Sequence, residues 1–348
     1  MTPRFHWVLP TGGDSRYLVA GGPGVGSLSA RGDRPATLDY LSQITRTAEQ
    51  LGFTGVVAPL DRWSEDAWLT SAMLAGTTSR LKFLVPVRPG QISPALAARM
   101  AATFQRHSGG RLLFQVDTTT DEHGDFLDDN DRLTRADEFL RVLRALWQGE
   151  EVTFHGEHIQ VERAALSRVP QPVPPVYRNG PVAQHADVHL TGGEPPPTIA
   201  DRIERIRHTT DHIPRFAIRL HVITRDTSGQ AWADARRLLA ALEPNPHNGS
   251  ANRMVTVHGG GASKLEVYPN LWSGVSLVPG GADLALVGNH AEVANRIEEY
   301  HAIGIDEFIL SGHPHLEEAY WFGEGVLPLL RQRGTWPNPS TSGLATAR

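Results

Sequence analysis

The stretch FAIRLHVITR, residues 216–225, decides the fold. It has the composition of a buried strand, and alternate side chains of a strand point to opposite faces. One face carries only apolar side chains, those of Phe216, Ile218, Leu220 and Val222. The opposite face carries Arg219 and His221, and burying a cation without a partner is costly. This second face is therefore predicted to look into a polar, hydrated space.

Composition limits the classes of function. The chain has 348 residues, of which 40% are hydrophobic and 20% charged, as in an ordinary globular protein. The net charge is -5 and no basic block occurs, which gives no indication of nucleic-acid binding. The absence of cysteine excludes disulfides, thiolate catalysis and cysteine-ligated metals. No signal-peptide pattern or membrane-length apolar run is present, so a cytoplasmic protein that does not enter the membrane is expected.

Apolar runs alternate with amphipathic segments along most of the chain. The predicted strands cover residues 5–11, 55–59, 81–87, 111–117, 174–180, 187–191, 216–223 and 307–312. Eight strands with helical connections favour a (β/α)8 barrel over residues 1–332, although the count alone does not separate it from an open sheet. A Gly-, Pro- and Asn-rich loop insertion or lid is predicted at 244–289, between strands seven and eight. Residues 333–348 are predicted to be disordered.

Several segments resemble a known family in collinear order from about residue 5 to residue 330. They include FHWVLPTGGD (5–14), SEDAW (64–68), LKFLVPVRP (81–89), IRLHVI (218–223) and FILSGHPHLEEAY (308–320). These segments are similar to the two-component alkanesulfonate monooxygenases of the bacterial luciferase-like flavin superfamily. The resemblance implies a (β/α)8 barrel that binds reduced FMN, supplied by a separate NAD(P)H-dependent flavin reductase, and uses O2. For a sulfonate substrate the implied products are an aldehyde and sulfite, and analogy predicts a homo-oligomer.

The resemblance also implies catalytic residues. Arg219 and His221 match a pair on the family's seventh strand, where a guanidinium holds an anion bidentately and an imidazole moves a proton. Tyr320 is matched to a catalytic tyrosine, whose phenol donates to an oxyanion. Ser64 stands where the family carries a cysteine and keeps a hydroxyl there. The alternatives without a catalytic role are that Arg219 pairs with barrel carboxylates, that His221 is packed in the core, and that Tyr320 is an ordinary aromatic residue of an amphipathic helix.

Further positions are assigned to the cofactor and the pocket. Arg88 matches an arginine near the flavin, and Asp66 belongs to the loop after strand two. A shortened loop after strand five leaves Asn179, Gly180 and Arg178 to hold the FMN phosphate. Trp7 and Trp68 are candidate pocket walls, although tryptophans more often fill a core. His313 and His315 form an H-x-H motif without a further ligand cluster at metal spacing, so no metal is predicted.

The sequence also departs from the family. Gly12 stands where the sulfonate enzymes have a histidine, and Pro279 stands where their lid has an arginine. The Gly-Gly-Ser-Ser phosphate loop is missing after strand five. Three functions therefore remain open: a reduced-flavin monooxygenase of a small sulfonate or related organosulfur or polar metabolite, a flavin-poor partner subunit without catalysis, and a deazaflavin-dependent oxidoreductase of the same fold.

Overall fold

The computed structural model describes residues 2–15, 34–61, 64–119, 127–180, 185–210, 213–240, 265–277 and 282–336. The strands within these ranges are β1 (Arg4–Val8), β2 (Gly55–Val57), β3 (Lys82–Val87), β4 (Leu112–Val116), β5 (Val152–His155), β6 (Gln160–Ala164), β7 (Val176–Asn179), β8 (Val188–Thr191), β9 (Arg215–Arg225), β10 (Glu266–Tyr268), β11 (Leu271–Trp272), β12 (Ala285–Asn289) and β13 (Glu307–Ser311). The α-helices are α1 (Leu38–Leu51), α2 (Ala67–Ala75), α3 (Pro94–Ser108), α4 (Asp129–Gln148), α5 (Pro196–Thr209), α6 (Ser228–Ala240), α7 (His290–Ala302) and α8 (His315–Gln332).

Eight parallel strands close into a barrel. The ring runs β1-β2-β3-β4-β7-β8-β9-β13 and returns from β13 to β1. Residues 216–223 lie within β9, which pairs with β8 on one side and with β13 on the other. The predicted (β/α)8 fold is therefore confirmed.

Local sequence signals set the ends of the outer helices. Thr37 accepts a hydrogen bond from the Tyr40 amide at the start of α1, and Gly52 ends that helix with φ +92°. Asn289 and Glu292 form a capping box at the start of α7. These interactions satisfy backbone groups that a helix end leaves without partners. The helices consequently begin and end where the connections return to the barrel.

The two faces of β9 belong to two separate cores. Phe216, Ile218, Leu220 and Val222 are in the large layer between the strands and the helices. Ala217 belongs to the barrel interior, whose other members include Val8, Val57, Leu84, Leu113, Tyr177, Val188 and Ile309. This division confirms the alternation predicted from residues 216–223. Because Arg219 and His221 follow Ala217 at two-residue steps, their side chains also point into the barrel.

A buried carboxylate holds the barrel floor together. Glu307 is 0% exposed and accepts hydrogen bonds from Nε2 of His6 at 3.0 Å and from the Tyr177 hydroxyl at 2.6 Å. The guanidinium groups of Arg4 and Arg215 also contact it, from the first residues of β1 and β9. Burial raises the pKa of Glu307, but these donors lower it more, so the pKa lies below its usual value.

Two boundaries differ from the sequence prediction. The described parts of the predicted loop insertion, residues 265–277 and 282–289, contain three strands, and β12 pairs in parallel with residues 221–225 of β9. The apolar residues 284–287 make this pairing favourable because they are buried. At the other end, Trp336 is buried against Phe5, with ring centroids 5.7 Å apart, so ordered packing extends past residue 332. Residues 337–348 lie outside the described residues. Among the helices that the structure describes, none is both long and apolar enough to span a membrane.

Candidate functional site

The C-terminal ends of the barrel strands meet at one rim, which is where active sites of (β/α)8 proteins lie. Arg219 and His221 occupy successive inward positions on β9 toward this rim. Arg219 is partly exposed, whereas His221 is 3% exposed. The carboxylates of Asp283, Asp61 and Asp117 act on Arg219. Burial lowers the pKa of Arg219 and these carboxylates oppose that effect, which places a cation among anions at the mouth.

His221 is held at one ring nitrogen only. Its Nδ1 lies 3.2 Å from the Ser311 hydroxyl, whereas its Nε2 is buried and has no hydrogen-bond partner within the described ranges. Burial lowers the pKa of His221 well below its usual value, and the neighbouring His313, His315 and Arg219 lower it further. The ring is therefore neutral near pH 7. A neutral imidazole with one unused nitrogen can accept or donate a proton at a bound molecule.

A hydrogen-bonded network joins the ends of β3, β4 and β7. Nη2 of Arg88 donates to Oδ2 of Asp117 at 2.9 Å, and Nδ2 of Asn179 donates to Oδ1 at 3.2 Å. The Thr118 amide donates to Oδ1 of Asn179 at 3.2 Å. Gly180 follows with φ +91°, a conformation that favours glycine. The structure thus brings Arg88, Asn179 and Gly180 together, and it adds Asp117, which the sequence did not single out.

Arg178 does not reach this network. It precedes Asn179 on β7 and points to the opposite face, where its guanidinium pairs with Asp137 on α4. The same group donates to the Leu133 carbonyl at 3.4 Å. Because neighbouring strand residues alternate in direction, Arg178 and Asn179 cannot both face the mouth. A phosphate-binding role for Arg178 requires the pair with Asp137 to open.

The loop after β2 uses its polar side chains locally. The Ser64 hydroxyl donates to Oδ2 of Asp61 at 2.9 Å, which links Ser64 to one of the carboxylates that act on Arg219. Asp66 caps α2 by accepting from the Leu69 amide at 2.7 Å. The carboxylate of Asp66 is therefore engaged in helix capping.

Both candidate pocket tryptophans lie in the outer layer. Trp7 is 0% exposed, and its ring centroid lies 5.5 Å from that of Phe53. Nε1 of Trp68 donates to the Pro86 carbonyl at 3.1 Å, and its ring packs edge-on against Phe114. These contacts place Trp7 and Trp68 between strands and helices rather than at the mouth.

Tyr320 also lies away from the mouth group. It is 39% exposed, and its hydroxyl lies 3.4 Å from Oγ1 of Thr47 on α1. The ring that lies beside His221 after the last barrel strand is that of His313, and the two ring centroids are 5.2 Å apart. The structure therefore does not bring Tyr320 to Arg219 and His221.

A second cluster, which we call the Asp14 cluster, consists of Asp14, His313 and His315. Oδ2 of Asp14 accepts from the Tyr40 hydroxyl at 2.5 Å and from the His315 amide at 2.8 Å. Oδ1 accepts from the Ser15 amide at 2.8 Å and lies 3.1 Å from Nδ1 of His315. Nδ1 of His313 lies 3.9 Å from the same Oδ1.

The Asp14 carboxylate is ionised. Burial raises the pKa of Asp14, but His315, His313 and Tyr40 lower it more, so it lies well below its usual range. Sequence reasoning missed this cluster because Asp14 and the H-x-H motif stand at opposite ends of the chain. The adjacency of β1 and β13 brings them together. Of the departures from the family pattern, Pro279 and the loop residues 181–184 lie outside the described residues.

Comparison with known proteins supplies the family. Residues 4–307 match the family model for luciferase-like monooxygenases. Among solved structures, a riboflavin lyase with modified FMN and riboflavin superposes with a TM-score of 0.74 at 18% identity, covering 97% of this chain and 93% of that chain. A long-chain alkane monooxygenase gives 0.72 at 18% identity over 97% and 93%. An F420-dependent secondary alcohol dehydrogenase gives 0.67 at 18% identity over 95% and 100%. At these identities the superpositions establish the fold alone.

Proposed function

Because the chain belongs to the luciferase-like monooxygenase family, we propose that it uses reduced FMN and O2 to oxidise a small sulfonate or a related organosulfur or polar metabolite. For a sulfonate, the products are an aldehyde and sulfite. A separate NAD(P)H-dependent flavin reductase supplies the reduced flavin, and the chain works as a homo-oligomer.

The observation that carries this proposal is the inward face of β9. Arg219 offers a cation that is partly exposed at the barrel mouth, in a position to hold a sulfonate or another anion. His221 follows two residues later with a buried Nε2 that no described residue engages. A bound molecule with a polar edge satisfies that nitrogen. A cation beside a neutral imidazole suits binding of an anion together with a proton transfer.

The residues at the mouth fit the ring end of a reduced flavin. Arg88 and Asn179 both donate to Asp117, so a guanidinium and an amide lie side by side next to the ends of three barrel strands. When bound, the reduced flavin supplies the electrons that activate O2. Arg219 then holds the anionic group, and His221 holds or moves a proton at Nε2. The ring end fits better than the phosphate end, because the Arg178 guanidinium turns toward Asp137.

A deazaflavin is the second candidate cofactor. The fold superposes on an F420-dependent secondary alcohol dehydrogenase over 95% of this chain. The same inward cation and imidazole suit hydride transfer to a polar metabolite. The two candidates differ in the cofactor that binds in the absence of any substrate.

The test is an anaerobic titration of the full chain with reduced FMN and, separately, with reduced F420. We expect saturable micromolar binding of reduced FMN and at least tenfold weaker binding by Arg88→Met, which removes the cation next to the proposed ring site. Arg207→Met, at an exposed position of helix α5, is the matched control and should bind as the wild type does. Preference for F420 selects the second candidate. No binding of either cofactor at high micromolar protein contradicts both and leaves the non-catalytic partner subunit.

If reduced FMN binds, turnover identifies the substrate class. The chain is combined with a flavin reductase, NADH, FMN and a panel of sulfonates in aerated buffer, and sulfite release is measured. Sulfite formation that depends on Arg219 supports the sulfonate assignment. If the protein binds FMN but releases no sulfite from any member of the panel, the sulfonate assignment is excluded. Oxidation of another substrate with reduced FMN and O2 then remains as the proposal.

A further inference from the structure

The Asp14 cluster goes beyond this flavin chemistry. We propose that Asp14, His313 and His315 form a mononuclear site for a divalent transition metal, with Zn²⁺ as the representative ion. The carboxylate comes from the segment after β1, one imidazole from the loop after β13, and the other from the first residue of α8.

The ligand atoms converge at a spacing that suits one ion. A carboxylate oxygen of Asp14 and one ring nitrogen each of His313 and His315 all lie within 4.8 Å of one another. Oδ1 of Asp14 is 3.1 Å from Nδ1 of His315 and 3.9 Å from Nδ1 of His313. Tetrahedral zinc with bonds of about 2.0–2.1 Å separates its ligand atoms by about 3.3 Å. The two measured distances lie on either side of that value.

A simple His–Asp hydrogen bond explains only half of this arrangement. The contact between His315 and Asp14 has hydrogen-bond length, but the 3.9 Å separation from His313 exceeds it. Nδ1 of His313 is a buried atom without a hydrogen-bond partner in the part of the chain that the structure describes. A cation between the three atoms engages both imidazoles and the carboxylate at once.

The groups around Asp14 resemble the outer shell of a metal site. Tyr40 and the amides of Ser15 and His315 donate to the carboxylate and fix its orientation. Arg34 in turn donates to the Tyr40 hydroxyl at 3.3 Å. Hydrogen bonds of this kind orient ligating carboxylates and tune metal affinity. Asp14 is thus held in place before any ion arrives.

The site has an open side. Three protein ligands with a fourth position left for water or substrate are typical of catalytic rather than structural zinc. The His313 side chain is 18% exposed, so solvent reaches one of the three ligand groups. The ring of His221, the group proposed to move a proton, lies 5.2 Å from the ring of His313 between centroids.

The donor set selects the class of ion. Two imidazole nitrogens and one carboxylate suit zinc and other first-row transition metals, whereas Mg²⁺ prefers oxygen donors. A rival set of Asp131, Glu157 and His158 also meets the spacing, but Glu157 is exposed and the other two are only half-buried. Exposure weakens that set because water competes for its carboxylates.

The experiment is a calorimetric titration of the full, flavin-free chain, after removal of adventitious metal, with Zn²⁺ and separately with Mg²⁺. We expect one tight equivalent of zinc per chain and no Mg²⁺ binding at the same concentrations. His313→Ala should weaken the tight equivalent at least tenfold. His313→Gln, which preserves most of the volume, serves the same purpose if the alanine variant loses its fold by thermal unfolding.

His158→Ala is the matched control and should retain the tight equivalent. Tyr40→Phe should weaken it by about tenfold or more, as expected for a group that orients a ligand. The proposal is overturned if the wild type shows no tight equivalent, if both His313 variants retain it, or if His158→Ala removes it. Because no flavin is present, failure here leaves the reduced-FMN titration unaffected, and the reverse also holds.

Discussion

The Ser311 hydroxyl lies 3.2 Å from Nδ1 of His221, and the two residues are register partners on neighbouring strands β13 and β9. This contact fixes the imidazole plane and directs the free nitrogen away from Ser311. Both side chains are buried, so neither has water as a ready substitute. The orientation of His221 therefore depends on a strand that contributes no other predicted site residue.

Replacing Ser311 by alanine tests this dependence. A buried imidazole nitrogen left without its partner costs about 1–3 kcal/mol in the free energy of unfolding. Ser167→Ala, at an exposed serine, is the control and should change stability by less than about 0.5 kcal/mol. Urea unfolding measures both. Equal stabilities of the two variants would show that the hydrogen bond contributes nothing.

The barrel floor gives a second stability prediction. Glu307→Gln removes the negative charge that Arg4 and Arg215 share, and their guanidinium groups are left partly exposed to water. The main loss is therefore expected from the weakened buried hydrogen bonds of His6 and Tyr177, at about 1–3 kcal/mol in the free energy of unfolding. Glu162→Gln is the control, since that carboxylate is 69% exposed in its pair with a histidine. The chemical denaturation midpoint is the measurement. A midpoint for Glu307→Gln within error of the control would contradict the role assigned to the carboxylate.

Part of the loss of stability at acidic pH is expected to come from His189. Burial, together with the nearby charges of Arg202 and Arg178, lowers the pKa of His189 from 6.5 to about 4. Below pH 6.5 the unfolded chain takes up a proton that the folded chain refuses, so stability falls as the pH drops from 6.5 toward 4. The loss from this group approaches about 3 kcal/mol at the lower end of that range.

His189→Phe removes that proton-linked loss and preserves an aromatic ring against Phe216. The free energy of unfolding is measured at pH 7.5 and pH 4.5 for both proteins. We expect the variant to lose less stability than the wild type over this interval. Identical pH dependence would mean that His189 titrates alike in the folded and unfolded chains.

Replacing Tyr320 is expected to have little effect on the affinity for reduced FMN. Its hydroxyl is 3.4 Å from Thr47 on the outside of the barrel, so Tyr320→Phe should change reduced-FMN affinity by less than twofold. Arg88→Met, by contrast, removes the cation next to the proposed ring site. Anaerobic titration of the two variants side by side separates them. A large loss of affinity in Tyr320→Phe would restore the role expected from the sequence.

The strand positions of the site were predictable because their periodicity is local. The two-residue alternation of 216–223 is sufficient to put Arg219 and His221 on the opposite face from Phe216. The same rule separates Arg178 from Asn179. Strand parity also explains Trp7, which lies between the inward His6 and Val8 and therefore faces the helices.

The helix and long-range features were harder to predict. His315 faces Asp14, and Tyr320 stands five residues later, about 140° around the helix from it. A motif match does not specify that rotation. Helix α2 carries a weak sequence signal because its sequence, AWLTSAMLA, is apolar on most sides and lacks a clear amphipathic period. The meeting of Asp14 with His313 and His315 arises only once β13 closes against β1.

Strand β9 is longer than the barrel requires. Its N-terminal part closes the ring by pairing with β13, and its C-terminal part, residues 221–225, pairs with β12 from the chain segment that precedes α7. Excising that segment would remove β12 from residues 221–225 and expose unpaired amides and carbonyls beside apolar Val222 and Ile223. Bare edges of this kind recruit other chains. A shortened protein should therefore self-associate, and engineering of this region must supply a substitute strand.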